Sequence, residues 1–283
     1  MRIIAIRRDE RFSPNSVEKD RLILESVCQC VCSHLQQEGK EFALRWIDEA
    51  DLQADDEADL YISMGRLPET LLLLEGFEKK GRKVINRPES IRNCQRSLLE
   101  QTMRQNHIPM PSPMTDKPET NQPCWIKRGD AAAQSKDDVI YCADLKALQQ
   151  AKEKFARRGI DNYVVSRHVE GDVIKFYGVN SSTSSEDASD GFFRYYYPTD
   201  DGMTKFKDEA LHNGTAHHYS FDNCRLQAEA SRLARLLKID VYGGDAIIDS
   251  EGNFYIIDFN DWPSFSRCRD EAAEAIAAIA IQN

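Results

Sequence analysis

The first third of the chain alternates between short apolar runs and longer segments with apolar residues at helical spacing. The apolar runs predict strands at 2–6, 42–46, 60–64 and 83–85. The helical spacing predicts helices at 16–37 and 68–80, the second ending at Gly81. Because strands that alternate with helices form parallel sheets, residues 1–86 are expected to form a small Rossmann-like α/β domain. This domain has no G-x-G-x-x-G turn, so the pattern does not indicate a dinucleotide.

The middle third predicts a helix, a stiff linker and a small lobe. A helix is expected at 90–106, and Pro109, Pro111 and Pro113 follow it as a rigid linker. Residues 124–169 show strand, loop, strand, helix and strand, with the loop at 128–138 and the helix at 145–158. We therefore expect a second unit at 87–170.

The last third, residues 171–283, predicts a lobe built around a hairpin. A strand at 192–197 and a helix at 222–237 precede two apolar strands, at 244–249 and 253–259, joined by a tight turn at Ser250-Glu251-Gly252. An alanine-rich helix is expected at 271–281. The overall prediction is an α/β protein.

Composition narrows the class of protein. The 283 residues include 37 basic and 47 acidic ones, a formal net charge of −10. A field of that sign disfavours nucleic acid and anionic membranes as partners. No apolar run has the length of a membrane span, and the N-terminal run is too short for a secretory signal. We therefore expect a cytoplasmic protein with no nucleic acid and no membrane among its partners.

The eight cysteines predict reduced thiols, most of them buried. Cys28, Cys30 and Cys32 are spaced by two within a predicted helix. That spacing spreads side chains around a helix axis, so a zinc site is not expected there.

Acidic residues interrupt the apolar strands of the C-terminal hairpin. Asp245 and Asp258 lie across the tight turn, and Asn260 shares a strand face with Asp258. Two buried carboxylates without a cation would be costly, and hard oxygen ligands suit Mg²⁺, with Mn²⁺ as an alternative. The pattern therefore predicts a metal site at Asp245, Asp258 and Asn260.

This stretch resembles the ATP-grasp superfamily. Its members carry a Gly-x-Asp strand followed by an acid, one residue, Asn, two residues and Pro, which Gly243-Gly244-Asp245 and 258–263 reproduce. The resemblance covers about residue 86 to the C-terminus. It implies a two-lobed ATP-grasp domain after the Rossmann-like one, with Mg²⁺ and ATP bound between the lobes.

The resemblance also implies nucleotide contacts. Arg96 stands where the family has a phosphate-binding lysine, Lys127 ends a strand at a second phosphate-binding position, and Lys175 falls where a basic residue faces the phosphates. The loop after Lys127 has fewer glycines than the family pattern, which leaves the conformation of the lid open.

Residues 163–175 look like the family's hinge. Backbone groups at Arg167, His168 and Val169 are expected at the adenine edge, and Asp172, with Glu170 as its rival, at the ribose hydroxyls. His168 fits a packed or exposed hinge residue better than a catalytic one.

For the reaction, the resemblance implies a ligase that phosphorylates a carboxylate, which an amine or thiol then attacks. A weak similarity to ribosomal-protein glutamate ligases places Lys207 near the acyl phosphate, and Arg194 is the second catalytic candidate. The acceptor is expected to be a small molecule or peptide with a carboxylate or hydroxyl.

Two alternatives remain open at this point. The motifs around Asp172–Tyr177 and Asp258–Pro263 also resemble inositol-phosphate kinases, for which Arg194, with Lys205, Lys207, Arg267 and Arg269, would bind an anionic acceptor. A non-catalytic nucleotide sensor or scaffold is the other. The oligomeric state is not fixed by the sequence, with a homodimer among the options.

Overall fold

The computed structural model describes residues 1–13, 16–114, 121–130, 135–180, 191–201 and 212–282. Three sheets organise them, here called sheets A, B and C in chain order. Short 3-10 helices connect several elements, at Glu10–Phe12, Glu49–Asp51, Lys136–Asp138 and Pro198–Asp201.

Sheet A is parallel and has the strand order β2-β1-β3-β4. Its strands are β1 (Arg2–Arg7), β2 (Ala43–Asp48), β3 (Leu60–Ser63) and β4 (Lys83–Ile85). Helices α1 (Val17–Gln37) and α2 (Pro68–Lys79) connect them. The expected Rossmann-like pattern is confirmed. Because β2 and β3 lie on opposite sides of β1, the strand order reverses between β1 and β3, the place where open α/β sheets bind ligands.

The helix expected at 90–106 is two helices, so that prediction is corrected. Helix α3 (Pro88–Asn93) ends before Gln95, whose backbone is extended, and α4 (Arg96–Gln105) begins after it. No glycine or proline marks the break. The two helices have different partners: α3 packs against α2, whereas α4 packs against elements of the other two sheets. The break allows α3 to pack against α2 while α4 packs against elements of the other two sheets.

Sheet B is antiparallel, with the order β6-β5-β7. It consists of β5 (Cys124–Arg128), β6 (Val139–Cys142) and β7 (Tyr163–Arg167), covered by α5 (Leu145–Arg157). Helix α5 buries Leu148, Ala151 and Phe155 against the sheet, and these residues belong to a core cluster of sheet B alone.

Sheet C is antiparallel, with the order β11-β10-β8-β9. Its strands are β8 (Asp172–Val179), β9 (Phe192–Tyr196), β10 (Val241–Ile248) and β11 (Phe254–Asp261), with α6 (Asn223–Leu237) and α7 (Arg269–Ile281). The hairpin prediction is confirmed. Strand β8, a central strand of this sheet, was missed because residues 163–175 were interpreted as one hinge.

Sheets A and C share a core. Helices α1 and α7 pack along each other, and one apolar cluster joins Ile3 and Val27 to Val241, Trp262 and Ile276. The domain limits at 86 and 170 stay predictions. In the part of the chain described here, no helix combines the length and the apolar character needed to cross a membrane.

Candidate active site

The β10–β11 hairpin brings the two predicted metal-binding aspartates together. Asp245 pairs directly with Asp258 in the antiparallel register, and a bulge follows between Asp245 and Ala246. Asp245 is only 5% exposed. The Asn260 amide donates a hydrogen bond from Nδ2 to Asp258 Oδ2 at 2.7 Å. The three side chains therefore form one cluster.

Close strand packing fixes this cluster. Gly244 precedes Asp245, and a Cβ atom there would lie 2.2 Å from the Asp258 carbonyl oxygen and 2.5 Å from the Phe176 ring. Glycine is thus required by close approach of the neighbouring strand. Its absence of a side chain lets β11 lie against β10 at the level of the two carboxylates.

Three cationic side chains from three different elements reach the cluster. Lys175 of β8 donates from Nζ to Asp245 Oδ1 at 2.7 Å, and Arg96 at the start of α4 lies with Nη2 3.4 Å from Asp258 Oδ1. Lys127 of β5 donates from Nζ to the Ile257 carbonyl oxygen at 3.0 Å. The three residues predicted to hold phosphates therefore surround the two predicted metal-binding carboxylates.

The surrounding charges give the two aspartates different acidities. Burial raises the pKa of Asp245, and the Lys175 charge opposes that shift without cancelling it. Burial also acts to raise the pKa of Asp258, but the Arg96 and Lys127 charges outweigh it and leave that pKa below its ordinary value. Asp258 is thus the more strongly anionic of the pair.

The donor chemistry of the cluster fits magnesium. Two carboxylates and one amide stand side by side, and oxygen donors of these kinds are the ligands that the ion prefers. The set has two carboxylates and one amide, and no group of three His, Cys, Asp or Glu ligands occurs among the residues that the structure describes. A site of this kind would leave coordination positions for substrate phosphates. Asp245, Asp258 and Asn260 are the residues that would hold the ion.

The space between sheets B and C is narrow. Two cavities lie there, of about 10 and 40 Å³, and Lys127, Ser166 and Ile257 line both. Small-molecule sites are typically about 300–1,000 Å³. A nucleotide would therefore fit between these sheets only after they separate.

The predicted hinge lines the smaller of these cavities. The backbone amides of Arg167 and His168 are already bonded, to the carbonyls of Ser112 and Pro123. His168 accepts a hydrogen bond at Nδ1 from Trp125 Nε1, at 3.1 Å. Arg167 and Val169 line the cavity, and the Val169 amide makes no hydrogen bond within the described part of the chain. Of the three residues predicted at the adenine edge, Val169 is therefore the one whose backbone amide is open to a ligand, and His168 has a packing role.

Asp172, predicted to contact the ribose, is buried and bonded to backbone amides. Its buried carboxylate accepts hydrogen bonds from the backbone amides of His217 (2.6 Å) and Tyr219 (2.8 Å), so both oxygens are occupied in holding that loop. The rival, Glu170, is exposed and stays a prediction for the ribose contact.

Arg194, predicted as a catalytic residue, lies apart from the aspartates, and its catalytic role stays a prediction. Arg194 pairs with Glu271 of α7 at 2.6 Å, its side chain is half exposed, and it does not line the cavities near the aspartates. Lys207, the other catalytic candidate, lies outside the described residues, as does Lys205.

Sequence reasoning missed a charged cluster beside the aspartates. The Asp261 carboxylate, 3% exposed, accepts hydrogen bonds from Arg66 and lies 3.3 Å from Arg8 Nη2. Arg8 also reaches Asp20 from Nη1 at 3.2 Å. Arg8 directly follows β1 and Arg66 closely follows β3, so both stand where the strand order of sheet A reverses. The available signal was Asp261 itself, a further acid on an apolar strand.

This cluster lines a cleft of about 280 Å³, here called the polar cleft. Its walls come from sheets A and C and from α4, and its charged residues are Arg8, Asp20, Arg66, Arg96, Lys175, Asp258 and Asp261. Asn260 also lines it. The polar cleft therefore lies directly beside the predicted metal and phosphate sites.

Comparison with known proteins gives matches in structure but not in sequence. No protein-family model and no curated protein matches the chain. A RimK-domain ATP-grasp protein from Sphaerobacter thermophilus is similar over all of both chains, with a TM-score of 0.62 and 16% identity. D-alanyl-alanine synthetase A from Vibrio cholerae is similar over 99% of this chain and 98% of that one (TM-score 0.65, 12% identity).

D-alanine–D-alanine ligase from Bacillus anthracis, in a structure with ATP, is similar over 99% of this chain and 96% of that one, with a TM-score of 0.60 and 13% identity. Identities this low establish architecture rather than reaction. The resemblance of the hairpin motif and the full-length structural similarity agree. The chain has the ATP-grasp fold, with a Rossmann-like sheet ahead of the two sheets that form the grasp.

Proposed function

We propose that this protein is a magnesium-dependent, ADP-forming ligase that phosphorylates a carboxylate and joins it to an amine or thiol. The observation that carries the proposal is the facing pair Asp245 and Asp258, surrounded by Lys175, Arg96 and Lys127. Of the structural neighbours described above, one is named a D-alanine–D-alanine ligase and another a D-alanyl-alanine synthetase, which favours this chemistry on the same fold.

The residues divide into two groups in this proposal. Lys127 and Arg96 bind the ATP phosphates, and Lys175 neutralises the phosphoryl group being transferred. Phosphoryl transfer depends mainly on alignment and charge neutralisation, so cations fixed at buried positions suit it. Magnesium, when bound, adds positive charge that lowers the cost of the developing negative charge.

Asp258 and Asn260 act as ligands whose positions are set before substrate arrives, because the Asn260 amide already orients the Asp258 carboxylate. Asp245 is held by a hydrogen bond from Lys175 of β8. Both carboxylates keep their place through β-sheet register, which limits the reorganisation needed on binding.

Hydroxylamine trapping tests the proposal. The protein is incubated with Mg-ATP, hydroxylamine and panels of amino acids, dipeptides, dicarboxylates and polyols, and ADP and hydroxamate are measured. We expect ADP and a hydroxamate with at least one carboxylate, since hydroxylamine attacks acyl phosphates.

Other outcomes identify the alternatives. ADP with a stable phosphorylated polyol and no hydroxamate would indicate a kinase. A rise in melting temperature with Mg-ATP, without ADP from any acceptor, would indicate a nucleotide sensor. Either result would overturn the ligase proposal.

A further inference from the structure

The polar cleft extends the predicted phosphate site towards sheet A. One end carries Asp258 and Asn260, and the other carries Arg8 and Arg66 at the carboxyl ends of β1 and β3. A compound in this cleft would therefore touch the phosphoryl-transfer site and the strand-order reversal of sheet A at the same time.

Arg8 serves as an anchor rather than a binding group. Its guanidinium donates to the Met64 carbonyl through Nε, to Asp20 through Nη1, and to Asp261 and the Trp262 carbonyl through Nη2. Its side chain is 6% exposed. Four of its five N–H groups are thus engaged, and the side chain holds Asp261 in place.

Arg66 keeps binding capacity. Its Nε and Nη2 hold the Asp261 carboxylate as a fork, and Nη2 also lies 3.5 Å from the Asp261 carbonyl oxygen. Its Nη1 group makes no hydrogen bond within the described ranges, and the residue lines the cleft with a side chain 12% exposed. A guanidinium fixed along one edge presents its remaining N–H groups in a set direction.

The charges of the cleft nearly balance, which favours a weakly charged group over a strongly charged one. Four cationic side chains (Arg8, Arg66, Arg96 and Lys175) and three carboxylates (Asp20, Asp258 and Asp261) line it, and Asp245, just outside the lining, pairs with Lys175. A carboxylate carries one negative charge, whereas a phosphate monoester carries about 1.5 to 2. The balance therefore suits a carboxylate better than a phosphate.

Resting on the ligase function proposed above, we propose that the acceptor is a small dicarboxylate-type compound whose second carboxylate binds Arg66 Nη1. The first carboxylate lies at the Asp258 end and is phosphorylated there. The volume of about 280 Å³, just below the usual range of small-molecule sites, restricts the acceptor to a compound of amino-acid or dipeptide size. Arg66 is a specificity residue in this proposal, and Arg8 and Asp261 position it.

Calorimetry on the full chain without nucleotide tests the inference independently of turnover. The probes are succinate, glutarate and L-glutamate as dicarboxylates, acetate and butyrate as monocarboxylates, and methylphosphonate as the phosphate-like anion. We expect at least one dicarboxylate to bind more tightly than every other probe. Arg66→Gln should weaken that binding by about 10- to 100-fold, as for loss of hydrogen bonds to a charged group.

Two further variants separate a loss of binding from a loss of folding. Arg66→Lys keeps the positive charge that Asp261 requires but loses the fork, so we expect intermediate affinity with a near-normal melting temperature. Arg7→Gln removes a neighbouring arginine whose pair with Asp48 is exposed, and we expect unchanged affinity. Affinity for an ATP analogue should stay the same in all three variants.

The inference is overturned when dicarboxylates bind no better than monocarboxylates, when methylphosphonate binds best, or when Arg66→Gln and Arg66→Lys bind like the wild type. These results are separable from failure of the ligase proposal. If hydroxamate forms from monocarboxylates and Arg66→Gln is fully active, the ligase proposal holds and the dicarboxylate proposal fails. If dicarboxylates bind in an Arg66-dependent way but no acceptor leads to ADP release, the dicarboxylate site holds and the ligase proposal fails.

Discussion

Sheet C meets its two neighbours in different ways. Towards sheet A it shares one apolar core, and Asn86 bonds through its amide to the backbone of Asp240 and Val241 at 2.7–3.1 Å. Towards sheet B the strands face each other across small cavities, with Lys127 and the Ile257 carbonyl as a crossing hydrogen bond. Sheet B keeps a core cluster of its own.

The difference indicates that one junction of sheet C is rigid and the other can open. The A–C junction is a fixed frame, because separating it would expose shared apolar surface and buried charges. The B–C junction can open at lower cost, since each side keeps its own core. ATP would therefore enter a junction that opens, whereas the acceptor would enter a junction that does not open.

The largest effect is expected from breaking the frame at Asp261. Asp261→Ala leaves the buried guanidiniums of Arg8 and Arg66 without their shared carboxylate, which should lower the free energy of unfolding by about 3–5 kcal/mol. Urea denaturation measures it. Asp48→Ala, which breaks the exposed pair with Arg7, is the control and should cost about 0–1 kcal/mol. Equal losses for the two variants would show that the junction is not a frame.

Removing Asp258 should affect activity and leave stability nearly intact. Asp258→Ala deletes a proposed metal ligand and relieves repulsion with Asp245, so we expect turnover to fall at least about 100- to 1,000-fold. The melting temperature should change by no more than a few degrees. Full ADP release by this variant would refute the metal assignment.

Lys127→Ala should act on nucleotide binding alone. Loss of a charged contact to phosphate is expected to weaken binding of a non-hydrolysable ATP analogue by about 1.5–3 kcal/mol in calorimetry. The matched control is Lys146→Ala, an exposed lysine on α5 of the same sheet. An affinity equal to that of the control would remove Lys127 from the phosphate site.

The smallest effect concerns acid sensitivity at the hinge. Burial lowers the pKa of His168, with Glu170 opposing and His212 adding to the shift. The unfolded chain then binds more protons near pH 6.5, so stability is present above that pH and is lost as the pH falls through the folded-state pKa.

His168→Gln should flatten this acid-side loss, because it removes the titrating group that accepts from Trp125. Melting curves from pH 8 to 5 measure it, and we expect a difference of about 1 kcal/mol or less. The partly exposed His34, paired with Glu274, provides the control variant His34→Gln. Parallel curves for wild type and His168→Gln would contradict the expectation.

Local patterns were sufficient to predict most elements and the proximity of Asp245, Asp258 and Asn260. The hairpin could be predicted because a tight turn at 250–252 joins two strands that follow each other directly in the chain, so the pairing of Asp245 with Asp258 follows from local sequence. The break between α3 and α4 could not, because it depends on which distant surfaces the two helices contact. Strand β8 was hidden because it begins at an aspartate, Asp172, and because the partly exposed Lys175 interrupts its apolar run.

The polar cleft could not be predicted either, because residues distant in the sequence form it. Arg8 and Asp261 are 253 positions apart, and only the fold brings them together. A buried acid on an apolar strand signals that a cation is required but does not say which one. The partners of Asp172, the amides of His217 and Tyr219, were hidden for a related reason, because they are backbone groups that no side-chain motif reveals.

Gly244 offers a way to separate distance from charge in this protein. Any side chain at that position would collide with the adjoining strand's backbone, so the smallest replacement would push the two aspartates apart while every ionisable group stayed in the molecule. Conventional charge-removing variants change both quantities at once. A single methyl group at Gly244 would instead ask how far apart the same carboxylates can stand and still work as a pair.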